Sequence, residues 1–289
     1  MIATASHEGI GLPEAACDCH VHVIGPKALY PMAADRHYTP GPAPLTALRA
    51  HLAGLGLQRA VIVQPSVYGT DNRCMLDSLD LLPGAGRGVA VPDNDVSPAA
   101  LREMHSRGVR GIRVNLESIG ARDVSSASAL LTRWAARIAD LGWHVQLYTA
   151  TQVIAELADL LATLPVPVVL DHFAMVSSKP DDASAPGSML PDLLRTGRVH
   201  IKLSAPYRLA LPRVAVSWTA KLLEAAPAAV LWGSDWPHTA RAAGKGAYDI
   251  SPYHAVTHAD LIEGLSSWLP TSTIMRQVLV DNPARLYDF

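Results

Sequence analysis

The sequence predicts an α/β protein, a single (β/α)8 TIM barrel covering residues 1–289. Three observations carry that prediction. The chain has 289 residues, and a barrel of this kind typically needs about 250. Short β-branched runs alternate along it with periodic apolar segments, the pattern of βα units around a parallel sheet. The strand-like runs number eight, and eight parallel strands with their helices close into a barrel more economically than they form an open sheet.

In chain order the predicted strands are 17–23, 59–64, 88–91, 111–116, 144–148, 167–172, 199–204 and 229–233. The first is short, apolar and β-branched around its polar residues. Because strand side chains alternate faces, Asp18, His20 and His22 are expected on one side, with Cys17, Cys19, Val21 and Val23 on the other. Between the strands lie periodic apolar segments at 43–55, 100–106, 126–141, 151–164 and 214–226, read as helices. Gly54, Gly56, Gly108, Gly142 and Gly197 stand where a helix C′ residue with positive φ is expected. Residues 24–44, 181–188 and 244–246 are rich in Pro, Gly and small side chains and read as surface excursions. No internal repeat, low-complexity tract or linker divides the chain, so one domain is expected.

Composition narrows the function. Hydrophobic residues make up 49% and charged residues 17%, with a mean hydropathy of +0.16, which describes a large buried core and not a disordered chain. A net charge of −2 without a basic cluster gives a nucleic-acid partner no electrostatic support. The opening MIATASHEGIGLPEAA lacks the basic and apolar regions of a signal peptide. No stretch approaches the ~20 apolar residues of a membrane span, so no membrane partner is expected and the expected location is cytoplasmic. Three cysteines, with Cys17 and Cys19 two apart on one strand, fit reduced thiols packed behind the histidine face. The sequence is silent on oligomeric state.

In a barrel of this type, chemistry stands at the C-terminal ends of the strands and on the loops that follow. That filter selects His20 and His22, Gln64 and Ser66, Arg113 and Asn115, Tyr148, Asp171 and His172. It adds Lys202, Ser204 and Arg208, and then Asp235 with His238. A lone strand histidine is ordinarily a satisfied core residue, but two on one face with a strand-end aspartate read as a site. They can converge on a metal or on a substrate carbonyl. His20, His22, His172 and Asp235 form one mononuclear set suited to a single Zn or Mn, since neutral imidazole and carboxylate suit both. Arg113 and Arg208 offer planar forks for a carboxylate or phosphate.

These residues sit in an ordered set of motifs that resembles the amidohydrolase superfamily, in its branch of 2-pyrone-4,6-dicarboxylate lactonase-like enzymes. The set runs through Asp18-Cys19-His20-Val21-His22, Arg36-His37-Tyr38-Thr39-Pro40, Gly69-Thr70-Asp71-Asn72 and Gly108-Val109-Arg110-Gly111-Ile112-Arg113. It continues with Leu141-Gly142-Trp143-His144, Asp171-His172, Leu231-Trp232-Gly233-Ser234-Asp235-Trp236-Pro237-His238 and Asp281-Asn282-Pro283-Ala284-Arg285-Leu286-Tyr287. The resemblance implies that Asp235 is the general base toward the attacking water, and that His20, His22 and His172 surround the lactone carbonyl, without a metal. It also implies that Arg113, Arg208, Tyr148, Ser66, Asn72 and Tyr38 grip the substrate, with His238 beside them.

Two departures shape the expectation. Dinuclear members carry a carboxylated Lys at the end of strand 4 and a His at the end of strand 5. This chain has Val114-Asn115-Leu116 and Tyr148-Thr149-Ala150 there, so a two-metal site is not expected. The dicarboxylate lactonase pattern places a further arginine six residues beyond the one matching Arg113, where this chain has Ile119. A lactone with fewer carboxylates, such as one derived from a sugar acid, is therefore as open as the pyrone dicarboxylate. The expected function is a hydrolase opening a small acidic lactone, with no cofactor. A lactone isomerase, a mononuclear metal-dependent hydrolase or decarboxylase, and a non-catalytic binder of acidic metabolites stay open beside it.

Overall fold

The computed structural model describes residues 11–118 and 120–289. Eight parallel strands form one sheet: β1 (Cys17–Val21), β3 (Arg59–Val63), β4 (Gly86–Ala90), β5 (Val109–Asn115), β6 (His144–Tyr148), β7 (Val168–Leu170), β8 (Val199–Leu203) and β9 (Val230–Trp232). Each pairs in parallel with the next, so sequence order is sheet order. The ends meet beyond β9. Val21 bridges to Trp236 in parallel, His22 N–H donates to Trp236 O at 2.8 Å, and Asp235 N–H donates to His20 O at 2.9 Å. Closure of the barrel therefore runs through the predicted site residues.

Helices cover the outside: α1 (Leu45–Leu55), α2 (Arg73–Asp80), α3 (Pro98–Ser106), α4 (Val124–Ile138), α5 (Thr151–Glu156), α6 (Ala158–Thr163), α7 (Leu190–Arg195), α8 (Ala215–Ala225), α9 (His258–Trp268), α10 (Ser272–Arg276) and α11 (Asn282–Tyr287). Helix α4 shows the logic. Asp123 caps it by accepting from Ser126 N–H at 2.8 Å. Ala127, Leu131, Trp134, Ala135 and Ile138 recur at helical spacing and are all buried. Truncating a side chain such as Leu131 to Ala would cost roughly 2–5 kcal/mol.

Alternation on the strands separates two layers. On β6, Val145 and Leu147 join the core under the helices, and on β8 Val199, Ile201 and Leu203 do the same. Their neighbours Gln146 and Lys202 therefore face the barrel axis. Lower in the barrel, Cys17, Cys19, Val61, Val63, Val89, Val169 and Leu231 form an inner cluster with Tyr287 of α11. All three cysteines are free and buried.

Three expectations need correction. The register of β1 against β3 shifts between Asp18 and Val21, which breaks the simple alternation. Asp18 does not share the face of His20 and His22. Its Oδ2 lies 3.8 Å from His51 Nε2 on α1, and its Oδ1 accepts from Ser234 N–H (2.9 Å) and His20 N–H (3.1 Å). Cys17 and Cys19 lie in the barrel interior with the inner cluster, on the side to which the histidines turn. Gly54 lies inside α1, whereas Gly56, Gly108, Gly142 and Gly197 do adopt positive φ. The predicted helix 151–164 is broken at Leu157, which leaves helical geometry at φ −97° and ψ 0°.

The predicted excursion at 24–44 is partly ordered by pairing. Its strand β2 (Thr39–Pro40) runs parallel to β10 (Ile250–Ser251), which joins the first and last loops across the barrel mouth. Among the described residues no helix is long and apolar enough to cross a membrane. Ile119 and residues 1–10 lie outside the described residues.

Candidate active site

At the C-terminal end of the barrel, Asp235 stands with three imidazoles around one of its oxygens. Oδ1 lies 3.7 Å from His20 Nε2, 3.6 Å from His22 Nε2 and 4.0 Å from His172 Nε2. The local chain makes this convergence possible. Beyond β9, Gly233 passes so close to β1 that a Cβ would stand 2.6 Å from His20 Cβ, so only glycine fits. Asp18 holds the passing backbone through Ser234 N–H, and Asp235 then turns inward at φ 62°. His172, with φ 48°, opens a run of positive φ to Met175 directly after β7. Non-glycine residues in this region are strained, and such strain gathers at functional sites.

Each imidazole is oriented from behind. His22 Nδ1 sits 2.7 Å from Val63 O, which accepts only and fixes the proton on Nδ1. His20 Nδ1 lies 3.3 Å from Asp171 Oδ1 and 3.4 Å from Lys202 Nζ. His172 Nδ1 lies 2.8 Å from Ser204 Oγ. Burial lowers the pKa of His20 to about 3, with the Lys202 charge adding to the effect against Asp171. Burial also drives His172 well below the usual histidine range.

Two arginines, Arg113 buried and Arg208 half-buried, are paired inside the protein. Oδ2 of Asp235 accepts from Tyr207 OH at 2.7 Å and from Arg208 Nε at 2.8 Å, with Arg208 Nη2 2.7 Å away. Arg113 Nε and Nη2 reach Asp171 Oδ2 at 3.3 and 3.2 Å, beside Gln146 Nε2 at 3.1 Å. Lys202 Nζ donates to Gln146 Oε1 at 2.6 Å and lies 3.7 Å from Asp171 Oδ1. Burial alone would raise both carboxyl groups. For Asp235 it is outweighed by Arg208 and the imidazoles, which hold the acid well below the usual range. For Asp171 it is outweighed by His20, Lys202 and Arg113. Arg208 Nη2 also donates to Thr239 O at 2.9 Å, and Nη1 of both arginines has no hydrogen-bond partner among the described residues.

In front of these groups lies a cavity of about 180 Å³. His22, His172, Asp235, Arg113 and Arg208 line it, together with the predicted Tyr38, Ser66 and Tyr148. His20 stands one layer deeper. Two expected substrate contacts lie outside this lining. Asn72 spends its amide on backbone, donating to Thr70 O and Val91 O and accepting from Val91 N–H. His238 is turned behind Tyr207, with Nδ1 3.5 Å from the phenol oxygen, and burial lowers its pKa to about 4. Sequence reasoning missed Tyr207 and the rim residues His37, Thr239 and Arg241. Tyr207 and Arg241 sit on loops with no periodicity to mark them, although His37 lies within a quoted motif.

The donor set also fits a single metal ion. Nε2 of His20 and Oδ1 of Asp235 are buried without a hydrogen-bond partner among the described residues. Ligand atoms at about 2.0–2.2 Å from one tetrahedral ion would lie roughly 3.3–3.6 Å apart, close to the separations seen. The set is His20, His22 and Asp235, with His172 adjoining. The positions that would hold a second ion carry Asn115 and Tyr148, which do not suit it.

Comparison with known proteins identifies the family of the chain. The amidohydrolase family profile matches residues 17–289. A 4-sulfomuconolactone hydrolase from Rhizobium radiobacter is 33% identical over 283 residues, covering 96% of this chain and 91% of that one. A 2-pyrone-4,6-dicarboxylate hydrolase from Comamonas testosteroni is 35% identical over 301 residues, covering 99% and 94%. A crystal structure from Pseudomonas putida, provisionally named a 2-pyrone-4,6-dicarboxylic acid hydrolase, superposes with a TM-score of 0.79 at 30% identity, covering 96% and 98%.

Proposed function

This chain belongs to the amidohydrolase family, and from that premise we propose that it is a lactonase, opening a small lactone that carries a carboxylate. The observation that carries the reading is the division of Asp235 into two unlike oxygens. Oδ2 is held by Tyr207 and Arg208, while Oδ1 has no hydrogen-bond partner among the described residues and faces the cavity and the imidazoles. A carboxylate so anchored is a positioned base with one free lone-pair face.

The substrate carboxylate meets the free Nη1 groups of Arg113 and Arg208, with Tyr38, Ser66 and Tyr148 around the ring. With the Ser204 hydroxyl donating to His172 Nδ1, the proton of that neutral ring lies on Nε2, aimed into the cavity as a donor to the lactone carbonyl. Asp235 Oδ1 takes a proton from water as the water oxygen bonds to the carbonyl carbon. The tetrahedral oxyanion is stabilised by His172 Nε2–H, a type of donor typically worth ~3 kcal/mol. The ring C–O bond then breaks and the departing alkoxide takes the proton back from Asp235. Water is thereby added across the ester bond, giving a hydroxy acid.

No metal is required in this sequence, because Arg208 already compensates the charge of Asp235. If a single Zn or Mn is bound, His20, His22, His172 and Asp235 hold it, and it supplies Lewis-acid polarisation of the carbonyl. The reading is tested by incubating the protein with a panel of acidic and neutral lactones in ¹⁸O-water. Incorporation of one ¹⁸O into the carboxylate of a ring-opened product supports hydrolysis. An unlabelled, rearranged lactone would indicate isomerisation, and binding without turnover would indicate a metabolite binder.

A further inference from the structure

Asp18 is a fully buried carboxylate that stands outside the lining of the cavity. Its Oδ1 accepts from the backbone N–H groups of His20 (3.1 Å) and Ser234 (2.9 Å), and so clips β1 to the segment that leads from β9 into Asp235. Its Oδ2 is buried without a hydrogen-bond partner among the described residues, as is His51 Nε2, and the two atoms face one another at 3.8 Å. No other basic side chain among the described residues lies within ion-pair distance of Asp18. A buried carboxylate needs such a partner, because taking an unpaired charge out of water is costly.

His51 comes from α1, and its surroundings join it to the last loops of the barrel. Its ring stacks on Trp236, with centroids 5.6 Å apart and planes 28° from parallel, and stands edge-on to His238 at 6.3 Å. Both neighbours lie close to Asp235 in the chain. His51 Nδ1 is 3.2 Å from Nε2 of His258, an exposed residue that opens α9. Between two ring nitrogens, one must donate and the other accept. With the His51 proton on Nε2, facing the acid, Nδ1 accepts from His258 Nε2–H, and each proton in the row His258–His51–Asp18 has a place. Gly54 makes room for the row. A Cβ there would stand 2.4 Å from His258 Cε1 and displace that ring, although glycine inside a helix is otherwise unfavourable.

We propose that His51 is a positioning residue for the base: through Asp18 it fixes the crossing of β1 and the segment after β9, and with it the aim of Asp235 Oδ1. Asp18, His51 and His258 do not line the cavity, so the effect travels through the backbone. Asp235 N–H donates to His20 O at 2.9 Å, and His22 N–H donates to Trp236 O at 2.8 Å. A slip of Ser234 against His20 therefore moves the carboxylate relative to His20 and His22, and a misplacement of about 1 Å can cost on the order of a hundredfold in rate. The proposal rests on the reading of Asp235 as the general base of a lactonase.

The test measures kcat and KM for an acidic lactone, and calorimetric binding of benzoate, an unreactive ring acid. It compares the wild type with His51→Phe, His51→Gln, Asp18→Asn and the Asp18→Asn/His51→Phe double variant. His51→Phe keeps a ring on Trp236 but removes both nitrogens, and His51→Gln returns a donor near the place of Nε2. His51→Phe should lower kcat by about tenfold, with KM and benzoate affinity within about twofold. His51→Gln should recover most of that loss. In the Asp18→Asn background His51→Phe should cost no more than about twofold further, since both changes break one link. Unchanged kcat in His51→Phe, equal losses in the two His51 variants, or losses that multiply across the two sites would each overturn the positioning role. So would a loss of kcat together with benzoate binding, the mark of a residue that only holds the fold. If Asp18→Asn does not fold, the two His51 variants decide between these outcomes. Each of them leaves the lactonase reading standing. A wild type that turns over no acidic lactone would overturn that reading, and the role of His51 with it.

Discussion

Half-buried Arg208 and fully buried Asp235 form an ion pair at the mouth of the barrel, with Nε and Nη2 both directed at Oδ2, 2.8 and 2.7 Å away. The pair leaves Oδ1 and Arg208 Nη1 toward the cavity. In the proposed mechanism one arginine thereby links substrate charge to the acidity of the base.

That link makes Arg208→Gln informative. Without the guanidinium, burial dominates at Asp235 and its pKa rises. The base is then protonated at a higher pH, so the acid limb of kcat/KM should move upward. KM for an acidic lactone should also rise by about thirtyfold, from loss of ~2 kcal/mol of charge-assisted bonding. An acid limb that stays in place would show that Arg208 does not set the state of Asp235.

Ser204→Ala should separate positioning from binding. In the proposed mechanism the hydroxyl 2.8 Å from His172 Nδ1 donates to that nitrogen and leaves the ring proton on Nε2, toward the carbonyl. Its loss should lower kcat by about tenfold, as removal of an orienting partner commonly does, with KM nearly unchanged. A rise in KM at constant kcat would instead place Ser204 in substrate binding.

Much of this arrangement was legible in the chain. Parallel strands buried on both faces read as short apolar runs, and all eight barrel strands overlap their predicted positions. His20, His22, His172 and Asp235 stand together as expected, because strand ends in a barrel share one rim. The β1 register shift was not legible, since alternation is periodic and a bulge is not, and it moved Asp18 to the helix side. Helices α2 and α7 are too short to give a periodic signal. Tyr207 lies in a short turn after β8 and meets Asp235 only in the folded barrel, and Arg241 lies on a loop with no periodic signal. Asn72 shows the converse, a motif residue whose amide is spent on the backbone.

Acid should destabilise the protein well before its carboxylates titrate. Burial lowers His20 and His144 to about 3, and His200 and His238 to about 4, from 6.5. Such a histidine binds its proton less well folded than unfolded, so the unfolded chain takes up protons first as pH falls. The contribution is complete above pH 6.5 and is lost progressively between about 6.5 and 3. The melting temperature should fall by about 5 °C or more across that window. A flat profile would mean that these rings are already charged in the folded protein.

Chelation addresses the metal directly. Activity on an acidic lactone should survive exhaustive treatment with EDTA, with less than one equivalent of Zn or Mn in the sample by elemental analysis. Loss on chelation and recovery on adding either ion would establish the mononuclear site of His20, His22, His172 and Asp235.

Asp235→Asn tests the central claim most directly. The amide keeps the shape of the side chain but cannot take the proton of the attacking water, and general-base assistance typically contributes 10²–10⁴-fold. Turnover of an acidic lactone should fall by at least about a hundredfold, while benzoate, as a measure of the intact site, binds within about tenfold of the wild type. Retention of more than about a tenth of the wild-type rate would contradict the assignment of Asp235 as the base.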